Sequence, residues 1–66
     1  MQNTMAVFYA KNNYPFDKGC ELELLEDYRK EGSQSGLFLG YKDGKLTEIY
    51  LDFREVLTEH KKDVGF

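Results

Sequence analysis

Cys20 and His60 are the only thiol and the only imidazole in this 66-residue chain, and together they could act as nucleophile and base if folding joined them. Their contexts point elsewhere. Cys20 opens an alternating run in which it shares an apolar face with Leu22 and Leu24, the setting of a packed thiol, and His60 falls at the polar margin of the last periodic segment. One cysteine and one histidine lack the paired spacing of a zinc site, and the acids lack the Asp-x-Asp-x-Asp-Gly run of a calcium loop. Gly32, Gly36, Gly40 and Gly44 belong to no Gly-x-Gly-x-x-Gly or Gly-Lys-Ser/Thr motif, so nothing cradles a phosphate. These residues predict no catalytic site, no metal and no cofactor.

The acids are better organised. Glu21, Glu23, Glu26 and Asp27 fall in one short stretch with no base among them, and two glutamates on one strand face stand about 7 Å apart. Like charges at that distance repel without forbidding the arrangement. Asp52, Glu55 and Glu59 make a second acidic face if the C-terminal segment is helical. The nine Lys and Arg are scattered and the net charge is −3, so a basic nucleic-acid groove is not expected and a partner selected by charge is basic. Ordinary solubility also asks for a charge of this size.

The elements that must carry these residues read as strands. Met5–Ala10 is rich in branched and aromatic residues and ends in the turn formers Asn12 and Asn13. A loop follows from Tyr14 to Gly19, where Pro15 holds Tyr14 extended. From Cys20 to Leu24 the period is two, with Glu21 and Glu23 opposite the apolar side. Arg29–Gly36 holds no apolar residue and predicts a mobile loop. Leu37–Lys42 and Lys45–Leu51, joined by Asp43-Gly44, predict a β-hairpin with a type I′ turn. In its second strand Ile49, Leu51 and Phe53 share one face, and Glu48 and Tyr50 the other.

The C-terminal segment supports two readings. Asp52-x-x-Glu55 has the form of a capping box, and Phe53, Val56, Leu57 and His60 recur at helical spacing, which favours a short helix with Lys61 and Lys62 at its end and Gly65 beyond it. The other reading is a 3₁₀ turn followed by a last short strand. Ten residues are too few to stay helical without packing on the sheet.

Ala6-Val7-Phe8-Tyr9, Phe16-Asp17-Lys18-Gly19-Cys20-Glu21-Leu22-Glu23-Leu24-Leu25-Glu26 and Gly36-Leu37-Phe38-Leu39-Gly40 together resemble an SH3 domain over most of the chain. The middle segment is similar to the family's apolar-x-Lys-Gly-Asp-x-Leu-x-Val-Leu strand, and Phe53 stands near the place of its 3₁₀-turn tyrosine. Leu37 occupies the place of the tryptophan that builds the family's proline-binding groove, and the loop from Tyr9 to Phe16 is shorter. The resemblance implies a small barrel and not that groove.

The expected molecule is a single domain: a mainly β, small antiparallel sheet or SH3-like barrel of four to five strands, closed by a short C-terminal helix or 3₁₀ turn. The lone cysteine needs no oxidising compartment and the N-terminal run has neither the basic start nor the long apolar core of a leader, so a cytoplasmic protein without membrane contact is expected. The expected function is non-catalytic protein binding, accessory or inhibitory. Glu21, Glu23, Glu26, Asp27, Asp52, Glu55 and Glu59 meet a basic partner, with Tyr14, Tyr41 and Tyr50 as anchoring aromatics. Such acids could imitate nucleic-acid charge toward a DNA-binding protein or polymerase. A structural subunit that pairs with a second copy, and a small barrel that stacks nucleic-acid bases, are the alternatives.

Overall fold

Period-two alternation becomes one five-stranded antiparallel sheet in the computed structural model, which describes residues 4–62. The strands are β1 (Thr4–Ala10), β2 (Glu21–Asp27), β3 (Ser35–Lys42), β4 (Lys45–Asp52) and β5 (Val56–Lys62), in the spatial order β4-β3-β2-β1-β5. Short 3₁₀ turns at Arg29–Glu31 and Phe53–Glu55 are the helical elements among the described residues. The mainly β reading holds, and the curled sheet is compatible with a small barrel.

β2 belongs to both halves of the sheet. Its start pairs with β1, Phe8 opposite Leu22, and the rest pairs with β3, Leu24 opposite Phe38. A β-bulge, with Leu25 inserted between the Leu24 and Glu26 pairings, sharpens the twist of β2 as it runs from β1 onto β3. The enclosed face buries Phe8, Ala10, Phe16, Leu22, Phe38, Leu51 and Val56, with Cys20, Leu24, Ile49 and Phe53 packed at its margin. Phe8, Phe38 and Phe53 meet edge to face, with ring centroids 5.2–6.1 Å apart. Phe16, a loop residue in the sequence reading, is almost wholly buried and plugs one end of this core.

The predicted hairpin is present, with Asp43 and Gly44 both at positive φ, 52° and 78°. Support for the turn comes from a distant residue: the Asp17 carboxylate accepts hydrogen bonds from the amides of Asp43 and Gly44 at 3.0 and 3.1 Å.

Two expectations are corrected. The C-terminal segment takes the turn-and-strand form and not the helix. Asp52 caps the Arg54 amide at 2.8 Å and not the Glu55 amide that a capping box engages, the turn ends after Glu55, and β5 runs along β1 from Val56 opposite Ala10 to Lys61 opposite Met5. Strand pairing satisfies every second backbone group of this segment against β1, which a short amphipathic helix would leave as an open sheet edge. Gly65, the expected helix stop, lies outside the described residues.

Arg29–Gly36 is the second correction, because part of this predicted loop is regular, with a 3₁₀ turn at Arg29–Glu31. The Tyr28 carbonyl accepts from the amides of Glu31 and Ser33, and β3 begins at Ser35. Arg29 lies over the Phe53 ring, its guanidinium carbon 3.8 Å from the centroid. A guanidinium stacked on a ring at the core's margin covers apolar surface with its planar group, and hydropathy does not register it.

Candidate partner-binding face

Alternation sends one set of side chains into the core and leaves the other on the outer face, where cross-strand register arranges it in rows. Glu26, Leu37 and Tyr50 form one row across β2, β3 and β4, and Glu23, Leu39 and Glu48 form the next. Tyr41 opposite Leu46 makes a third. No lysine or arginine occupies any of these rows. Leu37 and Leu39 are half-buried, whereas Leu46 and Tyr50 keep 60% and 66% of their surface exposed. The face is therefore an apolar strip bordered by three carboxylates. Single exposed leucines are normal on a protein surface, and here Leu46 shares its face with the half-buried Leu37 and Leu39.

The bulge decides which side chain meets Leu37. Without the extra residue Leu25 would stand there, and the bulge brings Glu26 into that place instead. Glu26 in turn accepts a hydrogen bond from the Tyr28 hydroxyl, whose ring lies 6.0 Å from that of Tyr50. Donation to Glu26, and then burial, push the Tyr28 phenol well above its ordinary pKa. The outcome is an oriented carboxylate beside two tyrosine rings.

The fold divides the expected acidic residues among four places. Glu21, opposite Tyr9, lies on the outer face with Glu23 and Glu26. Asp27 and Asp52 are each gripped by the guanidinium two residues on, Arg29 at 2.7 Å and Arg54 at 2.9 Å, so their charge is matched within the chain. The side-chain and backbone hydrogen bonds of Arg29 hold the Asp27 carboxyl down at about 2, and those of Arg54 lower Asp52 in the same way. Glu55 accepts a hydrogen bond from the Asn12 side chain in the β1–β2 loop. Glu59 stands on β5 opposite Val7. With the helix absent, Asp52, Glu55 and Glu59 form no common acidic face.

Of the expected aromatics, Tyr41 and Tyr50 share the outer face of β3 and β4. Tyr14 lies apart in the β1–β2 loop, with the Lys42 ammonium 5.6 Å from its ring centroid. Glu48 stands on the same face, and the Tyr28 ring lies beside Tyr50. Alternation places Glu48 beside Tyr50 in the sequence, but its opposition to Glu23 across Leu39 is a matter of register between three strands.

Cys20 and His60 are not brought together along the sheet. Cys20 accepts from the Ala10 amide, whereas His60 is opposite Ala6, four residues or about 13 Å along β1. Among the described residues no three His, Cys, Asp or Glu side chains converge as metal ligands, and no helix is long and apolar enough to cross a membrane. The surface of the described residues holds no pocket. No family model, curated protein or solved structure matches this chain.

Proposed function

We propose that this protein is a non-catalytic binding protein, accessory or inhibitory in role, whose acidic outer face engages a basic partner. The observation that carries the reading is the arrangement of Glu23, Glu26 and Glu48 around Leu37 and Leu39, with no base in those rows. An apolar strip supplies contact area, and a one-signed border selects the charge of what covers it and steers its approach. Tyr50 and Tyr41 are the anchoring aromatics.

The finer version is a partner that itself binds nucleic acid, with the carboxylates standing in for phosphates at its basic site. A five-stranded sheet with a 3₁₀ turn at Phe53 supports an SH3-like barrel as the scaffold. The unpaired Cys20 suits a reducing, cytoplasmic setting.

A pull-down from cell lysate, with and without nuclease, tests this against a variant carrying Glu21→Gln, Glu23→Gln, Glu26→Gln and Glu48→Gln. Capture of a basic protein that survives nuclease and is lost with the variant is the expected result. Capture that is indifferent to the four substitutions, or that depends on nucleic acid, rejects the reading.

A further inference from the structure

Among the described residues β4 forms one margin of the sheet and has β3 as its sole strand neighbour. In an antiparallel pair, residues that exchange both backbone hydrogen bonds with their partner alternate with residues whose N–H and C=O turn the other way. The two-residue turn makes Lys42 and Lys45 a bonded pair, and the bond from the Phe53 amide to the Gln34 carbonyl continues the same phase at the far end. Thr47, Ile49 and Leu51 therefore bond β3, while the backbone groups of Leu46, Glu48 and Tyr50 face the open side. Among the described residues no turn, loop or side-chain hydrogen bond uses them. These same three residues carry their side chains on the acidic and apolar outer face.

A second copy fits this edge poorly in the symmetric register centred on Glu48. When two β4 strands pair antiparallel with Leu46 opposite Tyr50 of the other copy, the two Glu48 carboxylates come face to face, and like charges directly opposite are destabilising. A cation in that place is favourable instead. We propose that the open edge of β4 receives an extended segment of the basic partner as an added antiparallel strand. That segment has lysine or arginine opposite Glu48 and apolar residues two positions away on each side, opposite Leu46 and Tyr50. Main-chain bonds then supply affinity and alternate side chains supply specificity. This inference rests on the basic-partner reading above and adds how the partner is held.

The test uses a short synthetic peptide, Thr-Ile-Thr-Lys-Thr-Ile-Thr, titrated into isotope-labelled protein and followed by amide resonances and hydrogen exchange. Binding is expected to slow exchange at the amides of Leu46, Glu48 and Tyr50. Methylation of the peptide's lysine backbone nitrogen removes a pairing donor but keeps the charge, and is expected to weaken binding about tenfold. Glu48→Lys is expected to weaken it about fivefold, with recovery when the peptide's lysine is replaced by glutamate.

Binding indifferent to N-methylation, no binding of the peptide, or concentration-dependent protection of the same amides without peptide would each overturn the proposal. The last would identify a second copy as the occupant. The two readings fail separately: partner capture that still requires the glutamates, with no protection at β4, rejects edge addition alone. Capture that ignores the glutamates rejects the basic-partner reading beneath it.

Discussion

Gly40 sets the tightest steric limit in the core. A Cβ there would overlap the Leu22 side chain and stand 2.9 Å from Phe16 Cδ1, and both neighbours are buried. Gly40→Ala is expected to cost about 1–3 kcal/mol through overpacking, read as a lower denaturant midpoint with an unchanged slope. Charge sets a different limit at Asp27. Its carboxyl titrates at about 2 in the folded chain against 3.8 when unperturbed, so the unfolded chain takes up the proton first as pH falls. The stabilisation is whole above 3.8 and is lost as pH drops through about 2. Asp27→Asn should flatten the fall in stability across that window, measured by thermal melts at a series of pH values. An unchanged slope would show that the Arg29 pair is not formed in solution.

Among the elements, the β3–β4 hairpin shows how local and distant causes combine. Asp43-Gly44 selects the turn through its positive φ angles, and Asp17 holds it from the β1–β2 loop. Gly44→Ala places a side chain at φ 78° with nothing else crowding it, so its cost is purely conformational, about 1–2 kcal/mol. Thermal unfolding checks this, and a neutral result would mean that the turn relaxes to another type. The element from Phe53 onward was legible only as a pair of alternatives. Its apolar residues fit both a helix and a strand, and the choice rests on β1 having an open side that β5 can pair. A far-UV dichroism spectrum without a helical component is the corresponding observable.

For the whole molecule, the β2–β4 part of the outer face concentrates like charge where stability alone would disperse it, whereas on the β1–β5 side Lys61 lies 5.7 Å from the ring of Tyr9, the residue opposite Glu21. Glu23 and Glu48 flank Leu39 from opposite sides, about 10 Å apart across two strand spacings, with no base between them. Glu23→Gln together with Glu48→Gln is expected to raise the melting temperature at low ionic strength and to change it little at 1 M salt, where the screening length falls to about 3 Å. No gain at low salt would mean that these carboxylates do not feel each other. A gain paired with lost partner binding would mark the face as one kept for function at a cost in stability.

The residue types alone specify the mainly β class, the type I′ hairpin, the two-sided alternation of β2 and the Asp52 cap, because each follows from backbone preferences or from a period of two within a few residues. They also single out Glu21, Glu23, Glu26, Tyr41 and Tyr50. They do not show that Phe16 is core, or that Glu48 joins Glu23 across Leu39. Those facts depend on strand register, on one inserted residue at Leu25 and on a guanidinium packed against Phe53. Each is a contact between segments distant in the chain, set by how the whole sheet closes over its core and not by the neighbours of any one residue.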